Sequence, residues 1–287
     1  MTSEPCPVCK SARVCVKYRL TGYRIAECMA CKLEYHDNFR GGGDTDGMFS
    51  EDYYRNVQYE AFSKQLTDYA QDTSAKVYER WLSEMVKRVT PGRIFDVGSA
   101  LGTFLKLAEA RGWTPQGVEI SRFAATFARE SRNLPIFHGD LKDFQCPGGT
   151  FDAITFWDSL EHVIHPQENL KKATRLVRKG GIVLLTTDNF DCLIADIARL
   201  AYRLSRGRIR YPMARVFIPH NRCYFTETTL RGLVEASGLR VVVFEKMEYP
   251  LEKIRTNAVE RLILRCLYGM AAILKRQAQV TILAEKP

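Results

Sequence analysis

Two pairs of cysteines open the chain. Cys6-Pro7-Val8-Cys9 and Cys28-Met29-Ala30-Cys31 are separated by eighteen residues, the spacing of a zinc ribbon, in which four thiolates surround Zn2+ tetrahedrally. A segment this short has too little apolar surface to fold alone, and metal–sulfur bonds supply the missing free energy. A structural zinc site at Cys6, Cys9, Cys28 and Cys31 is therefore expected, with reduced packing thiols as the alternative. Cys15 and His36 fall outside the pairing and read as bystanders.

A second constellation begins at Ile94-Phe95-Asp96-Val97-Gly98-Ser99-Ala100-Leu101-Gly102-Thr103-Phe104-Leu105, an apolar strand running through a glycine-bearing turn into a helix. Gly98 and Gly102 let the backbone come close to a ligand. In a dinucleotide turn the pattern would be G-x-G-x-x-G with a phosphate at the helix N-terminus. Here Ala100 holds the second glycine position and the last glycine comes one residue early. Asp96, two residues before Gly98, suits the cationic end of a ligand better than a pyrophosphate. Further on, Glu119 ends another apolar run, where a carboxylate can accept two hydrogen bonds from ribose hydroxyls. Asp140 follows Phe137-His138-Gly139, and Trp157-Asp158 follows Phe151 to Phe156. Polar residues at four successive strand ends describe a site along the C-terminal edge of an open sheet.

Trp157-Asp158-Ser159-Leu160-Glu161-His162-Val163-Ile164-His165-Pro166 brings acids and imidazoles to the mouth of that crevice. His162 is the candidate general base, because an imidazole titrates near neutral pH; holding a loop is the other role open to His162 and Glu161. His220, in Ile218-Pro219-His220-Asn221-Arg222-Cys223-Tyr224-Phe225-Thr226, has bonding of loop backbone as one role open to it, and Thr226 reads as the N-cap of the helix that follows.

These residues need elements to carry them. Residues 1–40 form the ribbon-like segment. Gly41-Gly42-Gly43 with Asp44, Asp46 and Gly47 reads as a linker, and a helical pattern runs from Ser50 to Val89 through Phe62, Leu66, Tyr69, Val77, Trp81, Leu82 and Met85. From residue 91 to 287, short apolar runs at Ile94–Val97, Pro115–Ile120, Pro135–His138, Phe151–Phe156 and Ile182–Thr186 alternate with amphipathic stretches. That alternation predicts an α/β fold, a mostly parallel sheet with helices on both faces. A basic insertion spans 189–219. In it Leu193, Ile194, Ile197, Leu200, Ala201 and Leu204 share one helical face, and Arg199, Arg203, Arg206, Arg208, Arg210 and Arg215 make a basic lid or docking surface. A second amphipathic helix over about 252–276 sets Leu262, Ile263, Cys266, Leu267, Met270 and Ile273 against Arg255, Arg261, Arg265 and Lys275. The favoured reading is a core-packed helix with a solvated face.

The 42 basic and 33 acidic side chains leave a formal charge of +9, which favours an anionic partner. No run of the chain approaches the roughly 18 apolar residues of a membrane span. The N-terminus lacks the blocks of a signal peptide, so the expected location is cytoplasmic, with peripheral contact at the inner membrane face as an option for the basic helices.

From Tyr78 onward, the ordered motifs Asp96-x-Gly98, Glu119, Asp140 and Trp157 resemble class I S-adenosylmethionine-dependent methyltransferases. The resemblance implies a Rossmann-like sheet of seven strands with the last antiparallel, for which Val241–Phe244 and Val280–Ala284 would supply the final hairpin. It implies S-adenosylmethionine as cofactor: Gly98, Ala100 and Gly102 against the methionine moiety, Glu119 and Ile120 at the ribose, Asp140 with Leu141 at the adenine, and Trp157 beside them. His220 resembles a histidine that methyltransferases often place over the acceptor pocket, which makes it a second candidate site residue. Asp158, Glu161 and His162 also resemble the acid-x-x-Glu-His motif of some methyltransferases, with Asp in place of the usual Glu, a likeness that implies a divalent ion as an option. The ribbon, the segment Phe49-Ser50-Glu51-Asp52-Tyr53-Tyr54 and the signature Leu160-Glu161-His162 resemble bacterial methyltransferases that decorate sugars, polysaccharides or secondary metabolites. That narrower likeness implies a small-molecule or glycan acceptor, anionic or lipid-linked, methylated at a hydroxyl or an activated carbon. An RNA methyltransferase is the main alternative, since the ribbon carries Lys10, Arg13, Lys17, Arg19 and Arg24. A non-catalytic scaffold that keeps the fold is another.

Overall fold

The short apolar runs become adjacent strands in the computed structural model, which describes residues 3–38, 49–56, 74–251 and 257–287. Strands β1 (Val14–Arg19), β2 (Arg24–Cys28) and β3 (Glu34–His36) belong to the ribbon, and β4 (Arg93–Val97), β5 (Thr114–Glu119), β6 (Ile136–His138), β7 (Phe151–Trp157) and β8 (Val177–Asp188) follow. After the two-residue β9 (Cys223–Tyr224) come β10 (Arg240–Met247) and β11 (Gln279–Glu285). Seven of these form one sheet in the order β10-β11-β8-β7-β4-β5-β6. β4, β5, β6, β7 and β8 pair in parallel, and β11 runs antiparallel to both β8 and β10. The mostly parallel sheet expected from the pattern is therefore present, and so are the seven strands implied by the family resemblance. β8 extends on both sides of the expected Ile182–Thr186, because its start pairs with Phe151 across an irregular register and its end continues to Asp188.

Side-chain alternation sorts each strand onto two faces. Phe95, Ile154, Phe156, Val183, Leu185 and Ile282 meet one group of helices, α5 (Pro166–Leu176) and α8 (Glu227–Ala236), through Leu170, Ala173, Leu230 and Leu233. Ile94, Ala153, Ile182, Leu184 and Leu283 meet the other, α2 (Ala75–Met85), α3 (Thr103–Ala110) and α4 (Arg122–Arg132), through Trp81, Leu82, Met85, Phe104, Leu105 and Ala128. Thr226 caps α8 as expected, in a reciprocal capping box with Thr229.

The ribbon is joined to this body by more than its linker. β9 pairs with β3, so the second sheet, β1-β2-β3-β9, takes its last strand from the far side of the sequence. Cys6, Ala26, Cys28, Leu33 and Tyr35 lie in the same core as Phe95 and Phe156. The glycine-rich linker and the helical positions Phe62, Leu66 and Tyr69 lie outside the described residues; within them, α1 (Glu51–Asn56) precedes α2.

The basic insertion contains α6 (Leu193–Leu204) and α7 (Tyr211–Val216). Its packing differs from expectation. The small residues Ala195 and Ala198 are buried, while Ile197, Leu200 and Leu204 are exposed. Arg199 turns inward to Glu34 of the ribbon at 2.9 Å and is no part of a basic lid. The C-terminal helix α9 (Ala258–Leu274) is likewise not core-packed, since Ala271 is its one buried residue.

Candidate active site

After β4 the backbone turns through Gly98, Ala100 and Gly102, all at positive φ (77°, 48° and 79°), before entering α3. A cavity of about 1340 Å3 opens above the strand ends at this point, where the sheet order reverses between β4 and β7. Asp96, Gly98, Ala100, Glu119, Ile120, Asp140, Leu141 and Trp157 line one part of it, and His162 and His220 line another. Gly102 does not line it. A Cβ there would come within 2.5 Å of Leu134, and one at Gly98 within 2.8 Å of Ser159, so both glycines serve the left-handed turn and close protein packing.

Glu119 is buried and tied to that turn. Its Oε2 accepts from the Ala100 N–H at 2.7 Å and its Oε1 from the Ser121 N–H at 2.8 Å. Burial pushes its carboxyl above the ordinary value while these N–H groups pull it down. Each oxygen keeps a lone pair for a further donor. Asp96 is also buried; its Oδ1 accepts from the Thr155 hydroxyl at 2.6 Å. Desolvation raises its carboxyl to about 7, which is the setting in which a ligand cation would be most strongly favoured. Asp140 caps a short 3-10 turn by accepting from the Lys142 N–H at 2.9 Å.

The aromatic wall over this crevice includes residues the sequence reading did not place in the site. Phe49, Tyr53 and Tyr54, around the start of α1, line the cavity, and the Phe49 carbonyl accepts from the Ser121 hydroxyl at 2.6 Å. Tyr78 and Phe104 pack against Trp157 at ring distances of 4.7 and 5.1 Å. The signature segment Phe49-Ser50-Glu51-Asp52-Tyr53-Tyr54 thus brings Phe49, Tyr53 and Tyr54 to the cavity.

On the other side of the cavity, His162 Nδ1 lies 3.1 Å from the His220 carbonyl oxygen. A carbonyl only accepts, so Nδ1 carries the proton and Nε2 keeps its lone pair. Burial holds His162 below the ordinary histidine value against the opposing pull of the His220 carbonyl and the Asp188 charge. Burial and the neighbouring His162 take His220 down to about 4. Asp188, at the end of β8, accepts from Tyr249 Oη at 2.6 Å and Asn221 Nδ2 at 2.9 Å. Asp158 stands at φ 46° and accepts from Gln279 Nε2 at 3.0 Å. Burial, with Asp158 and Asp188 nearby, raises the Glu161 carboxyl far above its usual range. Asp188, Asn221 and Tyr249 were missed, although Asp188 follows the same strand-end rule that found Asp96, Glu119, Asp140 and Asp158.

Among the described residues, the one group of three or more metal-capable side chains with ligand atoms within 4.8 Å of one another is Cys6, Cys9, Cys28 and Cys31. Asp158, Glu161 and His162 do not converge in this way, so the divalent-ion pattern has no geometric counterpart. In the cysteine quartet, Cys6 and Cys31 Sγ are 3.6 Å apart and Cys9 and Cys28 Sγ 3.4 Å apart. Sulfurs around a tetrahedral zinc stand about 3.8 Å apart, so the four fit that ion. His36 stays outside the quartet, as expected, but has a structural role: it is buried, with Nδ1 2.9 Å from the Pro219 carbonyl oxygen. Tyr23 Oη donates to the Phe217 carbonyl at 2.6 Å, and Arg222 donates to the His36 carbonyl and, at 2.7 Å, to Glu4. The ribbon thus grips the segment that carries His220 and Asn221.

Comparison with known proteins agrees with this geometry. The family model described as a methyltransferase domain matches residues 69–243. Over 103 residues the chain is 29% identical to the ubiquinone biosynthesis O-methyltransferase of Aromatoleum aromaticum, covering 34% of this chain and 44% of that protein. Over 99 residues it is 31% identical to the chloroplastic 2-methyl-6-phytyl-1,4-hydroquinone methyltransferase 2 of Oryza sativa, covering 32% and 28%. The chain therefore spans less than half the length of these curated relatives. The PH0226 protein of Pyrococcus horikoshii superposes with a TM-score of 0.54 at 18% identity, covering 83% of this chain and all of that one; the likeness is one of fold.

Proposed function

From the premise that the chain belongs to the methyltransferase-domain family and is an S-adenosylmethionine-dependent methyltransferase, we propose that its acceptor is a hydroxyl on a small molecule with an apolar body, and that His162 receives the proton. One observation carries this reading. The cavity runs from the acidic strand ends to aliphatic walls formed by Ile194, Ile197, Val216, Ile263, Leu264 and Leu267, and His162 and His220 also line it. An apolar body fits those walls, whereas a free sugar would leave its hydroxyls unpaired against them. One of the curated relatives described above is named as an O-methyltransferase of ubiquinone biosynthesis and the other as a methyltransferase of a phytyl hydroquinone, which supports a ring acceptor with an apolar substituent; the first name supports a hydroxyl.

S-adenosylmethionine, when bound, supplies a methyl carbon activated by a sulfonium. Glu119 would accept from its ribose hydroxyls, Asp96 would face its cationic end, and Asp140 with Leu141 would border its adenine. Phe49, Tyr53 and Trp157 would keep water out. In-line transfer asks the protein for alignment and removal of one proton. Neutral His162 has its Nε2 lone pair for that proton, and the His220 carbonyl and Asp188 stabilise the imidazolium once formed. The four cysteines would hold a structural zinc ion.

The RNA reading loses support at the ribbon, where Lys17 is paired with Glu27 and Glu34, Arg24 with Asp37 and Lys10 with Glu168. The deciding experiment has two stages. Calorimetry should find micromolar binding of S-adenosylmethionine and S-adenosylhomocysteine to the zinc-loaded chain, weakened at least about tenfold in Glu119→Ala. Mass spectrometry should then find a methylated product from hydroxylated aromatics with apolar tails, lost in His162→Gln. Failure to bind either cofactor, or turnover with intact RNA alone, would overturn the proposal.

A further inference from the structure

Helix α9 is exposed along nearly its whole length. Of its 17 residues only Ala271 is buried, yet its composition is that of a core helix. Leu264, Leu267 and Tyr268 wall the cavity. On an adjoining face, Val259, Leu262, Ile263, Met270, Ile273 and Leu274 meet solvent, with Leu262 63% and Ile273 83% exposed. Helical periodicity places them in one stripe. α6, which contacts α9, adds Leu200 and Leu204, 56% and 77% exposed, and Ile209 and Tyr211 follow. Ile197 and Tyr211 on one side and Ile263 on the other belong to both the cavity lining and this exposed apolar surface.

A contiguous apolar surface of this extent on a folded chain marks an interaction site. Its margin is basic. Arg261 and Arg265 sit beside the stripe on α9, and Arg203, Arg206, Arg208 and Arg210 at the end of α6 and in the turn after it; all are exposed and none makes an ion pair among the described residues. The neighbouring acids are engaged: Asp196 pairs with Arg199 and Arg276, and Glu260 caps α9 at Asn257.

We propose that the α6–α9 face docks on an anionic bilayer, with the aliphatic stripe below the headgroups, the arginines among the lipid phosphates, and the cavity mouth turned to the membrane. Basic residues flanking an exposed apolar helical stripe are what an interfacial helix requires. They also disfavour a second copy of this chain, because an isologous contact would bring the arginine margins together. The docking does not depend on the acceptor chemistry; entry of an acceptor from the lipid phase rests on the reading given above.

The test is flotation of the full chain, without cofactor or acceptor, on phosphatidylcholine vesicles with and without phosphatidylglycerol. Binding is expected to require phosphatidylglycerol, to fall with salt, and to weaken on the order of tenfold or more in Arg261→Gln/Arg265→Gln and in Leu262→Gln/Ile273→Gln. Both variants should keep the thermal midpoint and S-adenosylmethionine affinity of the parent, which separates loss of docking from loss of fold or of the methyltransferase site. No flotation on anionic vesicles, flotation that neither variant weakens, or a dimer in sedimentation velocity that Leu262→Gln dissociates would each overturn the proposal.

Discussion

His36 of the ribbon donates from Nδ1 to the carbonyl oxygen of Pro219 at 2.9 Å. The next carbonyl along the chain, that of His220, is the one that His162 engages at 3.1 Å. Two consecutive carbonyls therefore link the four-cysteine segment to the proposed base. His36→Ala should cost roughly 1 kcal/mol of stability and raise the KM for the acceptor, while the calorimetric affinity for S-adenosylmethionine stays unchanged. Stripping zinc with a chelator should act in the same direction and also lower the thermal midpoint.

Asp96 predicts a pH effect of defined sign. Its folded-state value of about 7 lies above the ordinary 3.8, so between these values the folded chain keeps a proton that the unfolded chain releases. The folded state gains from Asp96 at low pH and loses that gain as pH rises through 7. Asp96→Asn should accordingly raise the thermal midpoint of the free protein more at pH 8 than at pH 5, and should weaken S-adenosylmethionine binding. In the parent chain, a cationic ligand must displace the proton, so calorimetric affinity should increase from pH 6 to pH 8.

For the proposed base, the sign is opposite in origin. Burial depresses His162 below 6.5, so the imidazole is neutral across the physiological range and is lost as a base on acidification. The rate should be flat above neutrality and fall with a midpoint below 6.5, and His162→Gln should abolish that acidic limb along with most of the activity. A pH–rate profile at saturating acceptor measures both.

At the glycine turn, Gly98→Ala should destabilise the fold by about 2 kcal/mol, because it adds a Cβ 2.8 Å from Ser159 at φ 77°. Ala100→Gly should be nearly neutral. Relief of the left-handed strain at φ 48° offsets the entropy that glycine adds to the unfolded chain. Chemical denaturation distinguishes the two.

Strands β4 to β8 were legible because each contains a short apolar run bounded by turn residues, whereas β10 and β11 were legible only through the family resemblance; the acids at the strand ends were legible because the site of an open sheet lies there. Asp188 obeys that rule at the fifth strand and could have been read. Tyr249 carried no local signal; it reaches Asp188 from beyond β10. His36 looked idle because its partner, Pro219, is distant in sequence. Periodicity identified the stripes of α6 and α9 but not their surroundings: the same spacing serves a core face and an interfacial one, and only the positions of neighbouring elements decide between them.

The two-residue β9 has a consequence for the order in which the chain matures. The ribbon is synthesised first, and its cysteines can gather a metal early, but its sheet lacks an edge until Cys223 and Tyr224 leave the ribosome. His36 waits across 183 positions of sequence for Pro219. β3 is therefore an open strand edge while β4 to β8 of the catalytic body are translated. The last event that seals the ribbon is also the one that sets His220 beside His162.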